Sequence, residues 1–258
     1  MRSILNALRR FTGTSFDPAS LFVGGYDGAY YNFNIISSLW KDTAGTVPVT
    51  TAGDAIARAD DLKGVLTPYN ITNGTAGARP QYNTVAAAMG AIFDGVDDTL
   101  TSTAFSLSGT KRTICLAVRD LSDGASSPLL NKTYTSYSSV GYGAIDVRGD
   151  GTTIATYGGG GGLLLTQTGF TAPYKASIIS ECDPSTPILK LMVNGVETSS
   201  STSQSSNTYG SSPIAMGSGQ GFAPFGNIEV IAALIINRDL TAGEKASWDT
   251  FANGLLGL

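Results

Sequence analysis

From Leu21 onward the chain runs in short apolar or alternating stretches, each cut within a few residues by Gly, Pro, Asn, Asp or Ser. A helix needs roughly ten or more uninterrupted residues of one apolar period, and this punctuation denies them. Strands joined by tight turns fit it instead. The clearest strands are expected around Ile92 and Phe93, over Arg112–Asp120, around Ile145 and Val147, and over 174–182, 188–197 and 228–238. Several are apolar at both parities, which puts them under cover on both faces. Asn194-Gly195 predicts a two-residue hairpin, because a type I′ turn needs positive φ at both central positions. Asp150-Gly151 reads as another hairpin tip and Asp60-Asp61 as ordinary turn chemistry.

Helices bracket this body. Residues 1–11 put Ile4, Leu5, Leu8 and Phe11 on one helical face and Arg2, Arg9 and Arg10 on the other. So short a helix is marginal alone, so its apolar stripe needs a surface: this domain, a copy of it, a different protein or a membrane. At the other end Thr241 and Glu244 form a capping-box pattern. Trp248, Phe251 and Leu255 follow at spacings that lay one apolar stripe on the strands. The expected fold is all-β, an antiparallel β-sandwich with an N-terminal and a C-terminal helix. Segment 1–20 is read as helix and linker, and 21–258 as the domain.

The chain contains no histidine. That removes Ser-His-Asp and Cys-His nucleophile systems, histidine zinc sites and the usual proton shuttle at neutral pH. A net charge of −4 lacks the basic footprint of a nucleic-acid binder. Cys115 and Cys182 lie in apolar runs and read as buried free thiols, or as one disulfide if their strands are neighbours. No apolar run approaches the ~20 residues that span a bilayer, and the first residues lack the apolar core of a secretory signal. The expectation is a soluble chain without a membrane partner.

Two groups of side chains are candidates for ligands. The turn Asp94, Asp97, Asp98 can offer oxygens to Ca²⁺, the one cofactor the sequence suggests; the alternative is a plain turn with solvated aspartates. Tyr134, Tyr137, Tyr142 and Tyr157 lie in Gly/Ser-rich surroundings beside five glycines at 158–162. A tyrosine there can stack on a sugar and donate a hydrogen bond, or form half-buried rim packing.

The segments IFDGVDDTLTS (92–102), LMVNGVE and IEVIAALIINRDLTAGEKASWDTFANGLLG resemble the concanavalin A-like, laminin-G-like jelly-roll family. Its F-D-G-x-D-D, x-V-N-G and N-R-x-L-T/S-x-x-E elements recur in this order. Upstream, GAYYNFNIISSLWKDTAGTVPVTTAGDAIARADDLKG and ARPQY (78–82) are similar to bacteriophage virion proteins carrying such a domain. Tyr30 or Tyr31 stands at their tryptophan position, Asn32-Phe33 replaces D-P, and Asp61-Leu62-Lys63-Gly64 replaces D-x-S-G. The resemblance implies a virion structural protein, as fibre, decoration or adaptor. It would be made in the bacterial host cytoplasm and carried on the particle surface, with Ile4, Leu5, Leu8 and Phe11 as the anchor to other virion proteins. Repeated copies imply a homo-oligomer, in this class a trimer. The alternative it implies is a carbohydrate-binding module for a bacterial surface polysaccharide. A glycan hydrolase is the third reading. Glycosidases of this fold commonly place carboxylates as E-x-D-x-E or E-x-D-x-x-E, and among the four glutamates (Glu181, Glu197, Glu229, Glu244) none begins either motif. The expectation is a non-enzymatic chain with no catalytic residues, leaving Glu181 with Glu229 as the split pair to test.

Overall fold

The computed structural model describes residues 16–64, 68–83, 89–107, 111–121, 127–131, 144–147, 152–157, 164–183, 188–200, 213–218 and 225–258. The expected N-terminal helix, Tyr134, Tyr137, Tyr142, the 158–162 glycines and the Asp150-Gly151 tip lie outside them. In chain order the strands begin β1 (Gly28–Asn32), β2 (Leu39–Trp40), β3 (Arg58–Ala59), β4 (Ile71–Thr72), β5 (Gln81–Asn83), β6 (Gly90–Asp94), β7 (Leu100–Ser102) and β8 (Arg112–Asp120). There follow β9 (Ser127–Asn131), β10 (Ala144–Val147), β11 (Thr153–Tyr157), β12 (Leu164–Thr168), β13 (Tyr174–Asp183), β14 (Ile188–Val193), β15 (Val196–Ser200), β16 (Ala215–Met216) and β17 (Asn227–Ile236). Helix α1 (Ala242–Leu256) closes the described chain.

All strand pairs are antiparallel, in two sheets. The first runs β15-β14-β13-β8-β17-β6-β5, with β1 also on β17. The second runs β12-β11-β10-β9-β16-β7-β4-β3-β2. A register shift between Val230 and Ala232 lets β17 pair β6 before it and β1 after it, on the same edge. Such a bulge re-aims a strand without ending it.

The sandwich core fills the space between the sheets. Ile114, Leu116 and Val118 of β8 meet Leu39, Ile71, Leu100, Ile154 and Met216 of the second sheet in one cluster. Deep inside, Thr156 and Ser180 hydroxyls bond across it at 2.5 Å. The opposite parity of β8, β13 and β17 (Cys115, Ala117, Ile179, Ala232, Leu234) forms a second cluster under α1. That explains the double-sided apolar strands: one sheet is covered by the other sheet and by a helix.

The capping box at Thr241 and Glu244 forms as the sequence indicates. The buried row of α1 is Trp248, Ala252 and Leu256, while Phe251 and Leu255 lie half-buried at its flank. The expected stripe is thus rotated by part of a turn, because Phe251 turns to meet Phe16 edge-on at 6.3 Å. Leu21 and Phe22, from a 3-10 turn at Pro18–Phe22, are buried in the same cluster. Asn194 and Gly195 take φ of 49° and 80° at the β14–β15 hairpin, as I′ geometry requires. Both cysteines are buried thiols outside any disulfide, and burial pushes the Cys115 thiol well up. Among the described residues, no helix is long and apolar enough to cross a membrane.

Candidate functional site

The turn after β6 brings its three aspartates together. One carboxylate oxygen from each of Asp94, Asp97 and Asp98 lies within 4.8 Å of the others, with Asp98 buried and the other two exposed. Asp94 Oδ1 accepts the Val96 amide at 2.8 Å, and Asp98 Oδ2 accepts the Asp94 amide at 3.0 Å. Burial, with the neighbouring Asp94 and Asp97 charges, pushes the Asp98 carboxyl up to about 6. The donor set suits a hard cation such as Ca²⁺, which would relieve that crowding.

The sign of the linkage is testable. Between pH ~4 and ~6 folded Asp98 holds a proton that the unfolded chain has released, so stability falls as pH rises through this window. Asp98→Asn keeps a carbonyl for the Asp94 amide and removes the charge. It should flatten that fall and raise stability at pH 7 by on the order of 1 to 2 kcal/mol, read by thermal melts from pH 4 to 7. Below pH 4 the sign reverses. Asp42 (Thr46 hydroxyl), Asp54 (Thr50 and Thr51 amides) and Glu244 (Arg238) are each held down to about 2, and their contribution is lost as pH falls toward that value.

Glu181 and Glu229 do not come together. Glu181 pairs in register with Thr113 and Glu229 with Arg119, on opposite flanks of β8 and six residues apart along it. At ~3.4 Å per residue that is about 20 Å, far beyond the ~5–9.5 Å between glycosidase carboxylates. Both are engaged elsewhere. Glu229, fully buried, pairs with Arg119 and accepts the Asn83 amide at 2.7 Å. Glu181 accepts the Leu240 amide and the Lys245 ammonium, each at 3.0 Å. It lines a cleft of about 100 Å³ with Asp183, Lys190 and Asp239, where Lys111 bridges Asp183 and Asp239 at 2.7 and 2.6 Å.

The outer face of the second sheet carries a group that the sequence reading passes over. Pairing registers align Trp40, Arg58, Thr72 and Thr101 on four neighbouring strands. Their strand neighbours Leu39, Ala59, Ile71 and Leu100 point into the core, so this row faces outward. Trp40 is half-buried and belongs to neither core cluster. Its indole N–H donates to Asp60 Oδ2 at 2.7 Å, and Arg58 Nε donates to Asp60 Oδ1 at 2.6 Å. Arg58 Nη1 donates to Ala44 O at 3.1 Å. The guanidinium lies on Gly45, where φ is +76° and a Cβ would come within 2.9 Å of Nη1. Asp42 shapes that turn by accepting the Thr46 and Val47 amides at 2.9 Å. Arg79 staples it to the next loop, donating to Lys41 O and Gly74 O.

Asp60-Asp61 keeps its turn chemistry, with Asp61 Oδ1 accepting the Lys63 amide two residues on at 3.1 Å, and is in addition a two-faced pair. Adjacent residues in extended chain point to opposite sides, so Asp60 faces out to Trp40 and Arg58 while Asp61 is buried and accepts the Tyr30, Lys63 and Tyr69 amides. That alternation was the available signal, and it was masked because β2 and β3 are two residues long. Of the four candidate tyrosines only Tyr157 falls among the described residues, as the last of β11, paired with Ala144 and Leu164. It lies seven strands from Trp40 in the sheet order, on the order of 30 Å at ~4.8 Å per strand.

No protein-family profile and no curated protein matches the sequence. Solved structures do match in shape. The receptor-binding domain of botulinum neurotoxin D aligns with TM-score 0.57 and 11% identity over 88% of this chain and 52% of its own. A botulinum neurotoxin type C structure, described by its dependence on two ganglioside molecules, aligns with TM-score 0.55 and 10% identity over 85% of this chain and 51% of its own. Trypanosoma rangeli sialidase in complex with sialic acid aligns with TM-score 0.54 and 13% identity over 87% of this chain and 32% of its own. The chain therefore spans about half of the neurotoxin chains and about a third of the sialidase, and shares their β-sandwich fold.

Proposed function

We propose that this chain is a non-catalytic carbohydrate-binding module that recognises a bacterial surface polysaccharide. The observation that carries the reading is a sandwich of this fold whose second sheet presents a half-buried indole beside polar side chains, while Glu181 and Glu229 stand about 20 Å apart in separate ion pairs. Aromatic surface flanked by a few fixed polar groups suits a sugar. Structures of the same fold, described with sialic acid and with gangliosides, support it. The resemblance of 28–64 and 78–82 to segments of virion proteins supports the setting: display on a bacteriophage particle in repeated copies, with 1–20 as the anchor and 21–258 as the displayed domain.

A glycan array of bacterial surface polysaccharides, probed with the full chain with and without calcium, tests the reading. Saturable binding without release of reducing ends is expected. Calcium dependence would assign Asp94, Asp97 and Asp98 as ligands. A blank array would overturn glycan recognition. Deleting 1–13 should abolish particle attachment and leave array binding intact; retained occupancy on particles would overturn the anchor.

A further inference from the structure

The geometry points to the Trp40–Arg58–Asp60 group as a preformed subsite for a neutral pyranose presenting two adjacent hydroxyls. This rests on the module reading above and deepens it by naming the site and the ligand class. Trp40 contributes an indole outside both cores, its ring held by the 2.7 Å bond to Asp60. Carbon-bound hydrogens of a sugar ring lie naturally on such a face. Arg58 and Asp60 contribute the polar pair, with side chains 24% and 25% exposed. The Nε and Nη1 donors of Arg58 are used by Asp60 and Ala44. Among the described residues nothing accepts from its Nη2, which leaves two N–H groups directed outward. Each Asp60 oxygen accepts one bond, from Arg58 or from Trp40, and keeps a lone pair for a hydroxyl. One sugar hydroxyl can thus accept from Nη2 while its neighbour donates to Asp60, with the ring resting on the indole.

Charge selects among sugars. Arg58 and Asp60 neutralise each other at 2.6 Å, and Lys41 beside them is paired with Asp54 at 3.4 Å. Among the described residues Arg79, in the same corner, has no carboxylate partner but directs its Nε, Nη1 and Nη2 to the Asn73, Lys41 and Gly74 carbonyls. A uronic acid, phosphate or sulfate would therefore meet the Asp60 carboxylate without a cation aimed at it, and the group favours uncharged pyranoses. Gly45, the Asp42 turn and the Asp60 bond hold the guanidinium before any ligand arrives. Little side-chain entropy then remains to be lost on binding.

The test uses the full chain and the methyl glycosides of glucose, galactose, mannose and glucuronic acid at millimolar concentration. Acrylamide quenching of tryptophan fluorescence reads Trp40 selectively, because the second tryptophan, Trp248, is fully buried. One of the neutral glycosides is expected to shield the accessible tryptophan saturably and to compete with the array ligand. Trp40→Ala should weaken binding at least about tenfold and Trp40→Phe should restore part of it. Arg58→Gln should weaken it by about tenfold. Thermal melts of each variant separate loss of the site from loss of fold. Array binding that survives Trp40→Ala, or that leaves tryptophan quenching unmoved, overturns the site and leaves the module reading standing. Preference for the glucuronoside overturns the ligand class. A blank array overturns the module reading and the site with it.

Discussion

Asp61→Asn is expected to lower the unfolding midpoint by on the order of 10 °C, a larger effect than any exposed substitution should produce. The Asp61 side chain is fully buried; Oδ1 accepts the Tyr30 and Lys63 amides at 3.0 and 3.1 Å, and Oδ2 the Tyr69 amide at 3.0 Å. It ties β1 to the chain that leads into β4. It also faces the Lys63 ammonium at 3.4 Å; that side chain is 1% exposed, donates to Gly28 O at 2.6 Å and lies 4.0 Å over the Tyr69 ring. Asparagine keeps one acceptor, turns the other into a donor that opposes the Tyr69 amide, and leaves Lys63 buried without its counter-charge. Removing one partner of a buried pair costs about 3–5 kcal/mol, and a chain of this size loses roughly 2–4 °C per kcal/mol. The control is Asp61→Asn with Lys63→Met. Removing both charges costs less than stranding one, so the double variant should melt above the single one. A single variant within about 2 °C of the native midpoint would remove Asp61 from this role.

The contrast between the two sheets explains what the sequence made legible. β8, β13 and β17 are nine or ten residues long, and apolar residues at both parities signalled cover on both faces. The strands β2, β3, β4 and β16 are two residues each, too short for any period. The corner of β2, β3 and β4 is held by side chains: Asp42 and Asp54 close turns, Arg79 bridges loops, and Asp61 joins β1 to the chain leading into β4. Those residues lie in the segments that resemble virion proteins, so the motif reads structurally as the scaffold of this corner. The acidic turn was legible because its three aspartates are close in sequence. The Trp40 group was not, since Asp60 joins residues from two strands and its neighbour Asp61 faces the other way. The aromatic cluster proposed from Gly/Ser-rich context extends to one described residue, Tyr157, placed only by its backbone pairing in β11.

Glu229→Gln separates the structural from the catalytic reading of the one glutamate that could revive a hydrolase. Glu229 is fully buried on β17, paired with Arg119 of β8 and accepting the Asn83 amide at 2.7 Å. The chain makes room for it: a Cβ on Gly90 would lie 2.9 Å from its Cγ and 2.8 Å from Val230 O. Glutamine fits that space, but its carbonyl can serve only one of the two donors while its NH2 opposes the other, and the Arg119 charge is left uncompensated. The expected cost is about 3 kcal/mol or more, a fall in midpoint of roughly 6–12 °C, with glycan binding at the Trp40 corner unchanged. A catalytic acid behaves in the opposite way. Active-site carboxylates are held against stability, so their neutral isosteres typically leave stability unchanged or improve it while activity disappears. Measuring the midpoint and reducing-end release on the same two proteins therefore decides the matter. A destabilised variant, with no release from either protein, fixes Glu229 as part of the frame. A variant of native stability that loses a release shown by the native chain would return the chain to the hydrolases and displace the binding module proposed for it.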